Sequence, residues 1–559
     1  MTLSGAEIVI EELVAQGVDT VFGYPGGMVI HIYDALYKNS HRITHVLSAH
    51  EQGAAHAADG YARVSGRTGV AIATSGPGAT NLVTGIANAY LDSVPVVFIT
   101  GNVPANLLGK DAFQEIDIAS VTQPIVKHNY VVREIKHLQY TLREAFLIAK
   151  SGRKGPVLVD IPKNVQVDFF DYDPGLNVSI PGALKNTRNI DALDKALAAI
   201  EKSKRPFIYC GGGVSASDTR AAVIELSKKL GAPVALSMMG IGSIPDSYEL
   251  NLGMCGMHGR YASTVAQSEA DLEIALGVRF SDRATGNTKE YSKNCAVIHI
   301  DIDAAEIGKN ISPQISLCGD LREILPMLVD KTAAKPQGEW QARVRELKAT
   351  EIPQTNCRLT PLSIINCVNS YFDSDTVIAT EVGQHQMWVT QYYKFEKPRR
   401  LLTSGGLGAM GFGLGAVIGA CVAQGRKRAV LFTSEGSFGM NLTEFATAVT
   451  YKLPIVVVIL NNGVLGMVRQ WQTLFFDKRH SQTTLERKTD FPALARAFGA
   501  HGFSADSLDE LNAALKNLPD GGPCLINCVI DKDEMVFPMI PAGGSARDII
   551  INQDEVLRT

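Results

Sequence analysis

A carboxylate and an amide stand at the ends of two apolar runs in the last third of the chain. Leu431-Phe432-Thr433 leads into Ser434-Glu435-Gly436-Ser437-Phe438, and after a helical stretch the run Pro454 to Leu460 leads into Asn461-Asn462-Gly463. Both runs read as strands of an α/β unit. Side-chain oxygens on neighbouring strand ends can share one hard cation, and Mg²⁺ commonly takes one or two carboxylates together with phosphate oxygens. The pair points to a metal-diphosphate site, with a solvated loop carboxylate as the alternative. Three more glycine-bearing loops follow predicted strands, where open α/β sheets leave ligand crevices. They are Tyr24-Pro25-Gly26-Gly27, Ser75-Gly76-Pro77-Gly78-Ala79-Thr80-Asn81 and Gly211-Gly212-Gly213. Each also suits a tight turn. The third would let a backbone approach a ligand closely, yet it is not a GxGxxG, so a nicotinamide fingerprint is absent there.

The elements that must position these loops follow from periodicity. Ser4 and Glu7 form a capping-box pattern, Ile8, Leu13 and Val14 suit one helical face, and Gly17 suits the stop. A strand toward Phe22 should follow, then strands at Val70 to Ala73, Val94 to Thr100 and Val157 to Ile161, separated by helical stretches. Asp168 to Asn186, rich in Asp, Pro, Gly and Asn, reads as a linker. A second α/β unit begins near Ile190 with the strand Pro206 to Cys210 and ends near Asp330, with an exit at Lys331 to Trp340 and a charged helix after it. A third has strands at Thr376 to Thr380, Arg428 to Thr433, Pro454 to Leu460 and Cys524 to Ile530. The expected architecture is three α/β domains, each with a mostly parallel sheet flanked by helices.

Composition agrees. The 559 residues suit about three or four domains at roughly 100 to 200 residues each. With 46% hydrophobic and 20% charged residues the chain should be globular and soluble. A net charge of −4 argues against nucleic acid and anionic membranes as partners. Nine scattered cysteines without a CxxC pair suit a reducing, cytoplasmic compartment. Glu7, Glu11 and Glu12 break any signal-peptide pattern. The longest uncharged stretch, Leu401 to Gly425, carries eight glycines and polar residues, so no transmembrane segment is expected.

Ordered matches along nearly the whole chain resemble the thiamine-diphosphate (ThDP)-dependent enzymes, and within them the catalytic large subunit of biosynthetic acetolactate synthase. They run from Phe22-Gly23-Tyr24-Pro25-Gly26-Gly27 to Pro538-Met539-Ile540-Pro541. Between these lie His50-Glu51-Gln52-Gly53-Ala54-Ala55-His56, Asp111-Ala112-Phe113-Gln114-Glu115, Gly383-Gln384-His385-Gln386-Met387-Trp388 and Gly466-Met467-Val468. The resemblance implies a pyrimidine-binding domain over 1–170, a central FAD-binding domain over 188–335, a diphosphate-binding domain over 355–545 and a tail over 546–559. The outer domains would meet across a dimer interface.

By the same resemblance Glu51 is the catalytic carboxylate, bonded to the aminopyrimidine and favouring the imino tautomer that takes the proton from thiazolium C2. Gln114 would act beside it and Gly26 would line the cofactor. Glu435, Asn462 and the Val464 carbonyl would hold Mg²⁺. Gln384, His385, Gly436, Ser437, Gly466 and Met467 would hold the diphosphate and neighbouring atoms, and Gly408 and Met410 the aminopyrimidine. Arg279 would meet the second ketoacid's carboxylate, where a guanidinium suits a planar anion, and Trp471 would admit 2-ketobutyrate beside pyruvate. FAD would lie against Gly211, Gly212, Gly213, Met257, His258, Gly259, Arg279, Asp301, Asp303 and Asp320. Partners would be further copies of the chain, as homodimer or tetramer, and a regulatory small subunit.

The sharpest departure from the family is Ser434-Glu435-Gly436, where Gly-Asp-Gly is usual. The extra methylene of glutamate moves its oxygens by about 1 to 1.5 Å, and serine restricts a backbone that glycine leaves free. A tolerated variant, a weakened enzyme and a ThDP-binding form with little activity all stay open, as do a pyruvate oxidase and a 2-ketoacid decarboxylase. Ser281, where the family often has Asp, is a minor departure.

Overall fold

The apolar runs form the centres of three parallel sheets, and almost every side chain on them is buried on both faces, as helix-covered parallel sheets require. The computed structural model describes residues 1–179, 190–336, 338–350 and 358–552. In spatial order the first sheet is Thr44–Leu47, Thr20–Gly23, Gly69–Ala73, Val96–Asn102, Val157–Pro162 and His128–Val131. The central sheet is Asn251–Met254, Val234–Leu236, Pro206–Cys210, Leu272–Leu276, Ala296–Asp301 and Ile315–Cys318. The third is Leu401–Leu402, Val377–Thr380, Ala429–Thr433, Ile455–Asn461, Cys524–Val529 and His501–Ala505. Counting strands along the chain within each sheet, the first and third share the order 2-1-3-4-6-5, whereas the central one is 3-2-1-4-5-6. The last is the doubly wound order that binds dinucleotides across its switch point.

The opening helix Gly5–Ala15 has the full capping box. Glu7 accepts from the Ser4 amide at 2.8 Å, the Ser4 hydroxyl accepts from the Glu7 amide at 3.4 Å, and Gly17 follows at φ 76°. The linker expectation over Asp168 to Asn186 needs correction at its start. Phe169–Asp171 is a short strand antiparallel to Thr2–Ser4, because the N-terminal residues offer it an open edge. Residues 180–189 of that segment lie outside the described ones.

The uncharged stretch becomes the helix Phe412–Ala423, buried nearly all round, which explains a helix with no polar face. It packs on Glu51–Ser65 with backbone nearly touching backbone: a Cβ at Gly60 would overlap Ala416, and one at Gly419 would overlap Ala57. Beside this contact Arg63 donates to Asp59 at 2.5 Å, to Asp92 at 2.8 Å and to the Thr403 carbonyl at 3.0 Å, tying the first domain to the third. No helix among the described residues is long and apolar enough to cross a membrane.

Glu273, in the central sheet, is fully buried without a cation, accepting from Gln267 Nε2 at 2.9 Å and the Tyr291 hydroxyl at 3.2 Å. Burial pushes its carboxyl up to about 7 from an ordinary 4.5, against the pull of both donors. A folded pKa above the unfolded one means the group is harmless below pH 4.5 and progressively destabilising up to pH 7. Wild type should therefore lose up to about 2 to 3 kcal/mol between pH 5 and pH 8 through this group. Glu273→Gln should flatten that loss. Unfolding midpoints measured at both pH values check this, and parallel shifts in the two proteins would refute it.

Candidate functional site

In the first sheet the strand order reverses between Thr20–Gly23 and Gly69–Ala73, and the loops leaving these strands hold Gly26 and the Ser75 to Asn81 turn. Gly26 lies against Thr74, whose hydroxyl accepts from the Met28 amide at 3.2 Å. Glu51 opens the next helix, Glu51–Ser65, after the His50 cap. It is only 9% exposed, and its Oε2 accepts from Asn81 Nδ2 at 3.0 Å. Gln114, at φ 60°, closes the far side, its carbonyl 2.8 Å from where a Cβ at Gly76 would stand. A Cβ at Gly78 would stand 3.1 Å from Glu51 Oε1 and also against Thr74, which Gly26 touches, so Glu51, Gly26 and Gln114 sit around the same Ser75 to Asn81 loop.

The third sheet repeats this arrangement. Its order reverses between Val377–Thr380 and Ala429–Thr433, whose exits carry Gln384 and His385 on one side and Ser434 and Glu435 on the other. Ser434 sits at φ −119° and ψ 165°, extended backbone that needs no glycine, and its hydroxyl caps the helix Glu435–Asn441 by accepting from the Ser437 amide at 3.4 Å. The departure to serine is locally accommodated. Glu435 is 7% exposed and neither carboxylate oxygen has a hydrogen-bond partner. Burial pushes its carboxyl up to about 7, opposed by backbone amides including those of Asn462, Gly463 and Val464, which face it without closing a hydrogen bond. Two unpartnered buried anionic oxygens are costly alone and suit a cation.

Asn462 lies at the next strand exit, donating to Gln384 Oε1 at 3.2 Å and accepting from the Val464 amide at 3.3 Å. Val464 is buried and bridges Thr484. The helices Gln384–Tyr392 and Gly466–Phe475 both begin without a side-chain cap, which leaves their first amides available to an anion. Gly436 lies beside Leu465, Gly466 against Gln384 and Asn462, and Met467 follows half-buried. The Ser437 hydroxyl donates to the Val382 carbonyl at 2.9 Å. His385 is buried with an unpartnered Nε2, and burial holds its imidazole neutral, down to about 3. The Gln384 amide group is already engaged, donating to Gln470 Oε1 at 3.0 Å and to the Glu534 carbonyl at 2.8 Å. Among the described residues no hydrogen bond joins the Glu51 group to the Glu435 group.

A third group forms where the central domain meets the third. Gly408, at φ 70°, and half-buried Met410 belong to an exposed glycine segment anchored by Asp92, which accepts from the Gly406 amide at 2.7 Å. Arg279 reaches the same segment, its Nη2 3.1 Å from where a Cβ at Gly406 would be. Among the described residues no salt bridge pairs its guanidinium with a carboxylate, and burial lowers its pKa. Trp471 stacks under Arg283 at 5.8 Å.

The central switch point lies between Pro206–Cys210 and Leu272–Leu276. Here the glycine run has a packing reason of its own. Cβ atoms on Gly211 and Gly213 would collide with Gly277, so two of the three glycines serve strand-end packing; Gly212 faces Met239. Asp301 is buried, its carboxyl raised to about 6, and accepts from the Asp303 amide at 2.9 Å. Met257 contacts Arg283 through sulfur at 3.7 Å, Gly259 turns tightly on Gly256, and His258 keeps Nδ1 unpartnered in a buried position. The Asp320 carboxylate is taken by Arg322 and by capping the helix Leu321–Lys331.

Two residues that hold these groups carry no sequence signal. Gln470 is the buried residue of an otherwise half-exposed helix, and Asp92 reads as an ordinary helix end. Gln470 donates to the Val536 carbonyl at 3.0 Å, fixing the segment that then crosses to the central domain, where the Ile540 amide donates to the Met257 carbonyl at 2.8 Å.

Comparison with known proteins gives the same arrangement a family. The thiamine pyrophosphate enzyme N-terminal TPP-binding domain matches residues 3–121, the central domain 193–328 and the C-terminal TPP-binding domain 381–528. A protein of Methanocaldococcus jannaschii named as a probable acetolactate synthase large subunit is 43% identical, covering 98% of this chain and 95% of its own. The acetolactate synthase large subunit of Lactococcus lactis is 43% identical over 98% and 96% of the two chains. The isozyme 1 large subunit of Escherichia coli is 41% identical over 98% and 97%. With such identity over essentially full length, three matching domain models and two sheets of the same strand order, the chain belongs to the acetolactate synthase large-subunit family of thiamine pyrophosphate enzymes.

Proposed function

We propose that this chain is an acetolactate synthase, decarboxylating pyruvate and joining the remaining two-carbon unit to pyruvate or 2-ketobutyrate in branched-chain amino acid biosynthesis. The observation that carries the reading is Glu435, with both buried oxygens unpartnered between two uncapped helix starts, in a chain about 40% identical to acetolactate synthases throughout. Glu435, Asn462 and the Val464 carbonyl would hold Mg²⁺. The first amides of the helices at Gln384 and Gly466, with His385, Gly436, Ser437 and Met467, would hold the diphosphate. When bound, ThDP supplies an acidic C2 carbon and a cationic ring that accepts the electron pair of decarboxylation. Glu51 holds the proton at the pyrimidine ring, steadied by Asn81, with Gln114 and Gly26 bordering it. Gly408 and Met410 support that ring. Arg279, half-buried and in no salt bridge among the described residues, receives the carboxylate of the second ketoacid, and Trp471 shapes the space for the acceptor's alkyl group. Excluding water there favours ligation over aldehyde release.

A homodimer would complete each site by placing the first domain of one copy on the third domain of the other. Strongly exposed Phe113, Met440 and Val468 beside the two crevices support that contact. A tetramer and a regulatory small subunit fit the same reading, as does a cytoplasmic location. The 3-2-1-4-5-6 order of the central sheet supports FAD across its switch point, near Gly212, His258, Asp301 and Asp303. The domains then run over 1–170, 188–335 and 355–545 with a tail to 559, of which 553–559 lies outside the described residues.

Purified protein with pyruvate, ThDP and Mg²⁺, with and without FAD, should yield acetolactate and CO2 as the main products. Acetaldehyde as the main product would replace the reading with a decarboxylase, oxygen-dependent peroxide with a pyruvate oxidase. Absent CO2 at saturating cofactor would indicate a catalytically weak ThDP-binding chain.

A further inference from the structure

The backbone that delivers Glu51 belongs to the first domain, yet it is held from the third. Between the strand Thr44–Leu47 and the helix Glu51–Ser65 lie three residues, and each amide of this approach has a partner. The Leu47 amide donates to the Tyr451 hydroxyl at 2.7 Å and the Ser48 amide to the Gly23 carbonyl at 3.2 Å. The Ala49 amide donates to Glu444 Oε1 at 3.1 Å and the His50 amide to the same oxygen at 2.9 Å. Two of these three partners, Glu444 and Tyr451, stand at opposite ends of one third-domain helix, Glu444–Thr450, which follows closely on the helix that Glu435 opens.

The carboxylate is 1% exposed and is steadied by the Thr447 hydroxyl, which donates to Oε2 at 2.8 Å. Gly53 completes the fit, because a Cβ there would overlap the Glu444 side chain. A buried carboxylate accepting two amides is a strong, directional tether. Among the described residues the Glu51 side chain has one hydrogen bond, from Asn81, so its position depends on the backbone it stands on. We infer that Glu444, assisted by Tyr451, is a positioning residue for Glu51, fixing from the third domain the backbone that aims the proton-holding carboxylate.

This rests on the reading that Glu51 handles the cofactor's proton, and the test separates the two. The measurement is exchange of the C2 hydrogen of ThDP for deuterium on the Mg²⁺-loaded protein in D2O, stopped by acid and read by NMR, alongside ThDP affinity and Tm. Glu444→Ala should slow exchange at least tenfold while ThDP affinity stays within threefold. Glu444→Gln keeps an oxygen where both amides point and should restore most of the rate. Tyr451→Phe, which loses one acceptor, should slow exchange about threefold. A role confined to stability would lower Tm in these variants and leave exchange on the folded protein unchanged, and that result overturns the inference. Should Glu444→Ala fail to fold, wild-type exchange in Tyr451→Phe overturns it equally. Glu51→Gln is the control: exchange at the wild-type rate there would remove the parent reading, whereas lost exchange in Glu51→Gln with normal exchange in the Glu444 and Tyr451 variants sinks the positioning role alone.

Discussion

Glu51→Gln is expected to leave a folded protein that binds ThDP within a few-fold of wild type and turns over pyruvate about 10²- to 10⁴-fold more slowly, the range that a positioned acid-base group contributes. That is a barrier increase of about 3 to 5 kcal/mol. Glutamine preserves volume and can still accept from Asn81 Nδ2, so the helix start and the crevice wall should persist. What it cannot do is gain and lose a proton. Glu51 is the carboxylate that opens the Glu51–Ser65 helix beside the first switch point, 9% exposed and in no salt bridge among the described residues. Steady-state CO2 release at saturating ThDP and Mg²⁺ reads the effect. A variant keeping a tenth of wild-type turnover would show that another group handles the proton.

How far the site could be read from residues alone depended on whether its chemistry was local. Glu435 and Asn462 stood at the ends of strongly apolar runs, and those runs became adjacent strands, Ala429–Thr433 and Ile455–Asn461, so their proximity followed from strand order. Glu51 was legible for a different reason: its surroundings matched a family, whereas by itself it is a glutamate at a helix start, where the dipole favours one anyway. Short or polar strands such as Thr44–Leu47, His128–Val131 and His501–Ala505 carried too little apolar pattern to be foreseen, and they are the outer members of their sheets. The shared topology of the first and third sheets has no sequence period, because it is a repetition of strand order and not of residues. One role of glycine was not legible. Gly211 and Gly213 also make room for Gly277, 64 or more residues away, a contact no local spacing announces. Glu444 and Asp92 were invisible because each acts across a domain boundary, and Gln470 because its partners Gln384 and Val536 lie 86 and 66 residues away.

Glu435→Gln should separate the folding cost of the metal loop from its binding function by moving two observables in opposite directions. Without metal, wild type buries a carboxylate whose oxygens meet no hydrogen-bond donor, an arrangement that costs free energy until a cation arrives. The amide is neutral, so the metal-free Tm of the variant should equal or exceed that of wild type. Adding Mg²⁺ and ThDP should then raise the wild-type Tm and barely move the variant, because one of the two side-chain oxygen donors has lost its charge while Asn462 and the Val464 carbonyl remain neutral. A hundredfold loss of affinity corresponds to about 2.7 kcal/mol of forgone ligand stabilisation, readable as the missing Tm increment in a titration. Glu435→Asp shortens the side chain by about one methylene and, paired with Ser434→Gly, tests the other half of the argument. Ser434 already adopts extended backbone and caps its own helix, so the glycine brings no needed conformation and loses the hydroxyl cap at a cost of about a few tenths of a kcal/mol. The double variant should therefore bind Mg²⁺ and ThDP no more than about threefold better than wild type and unfold slightly earlier. A tenfold gain in affinity would mean that glutamate at this position weakens the site after all, and that its two unpartnered oxygens stand too far forward for the cation they face.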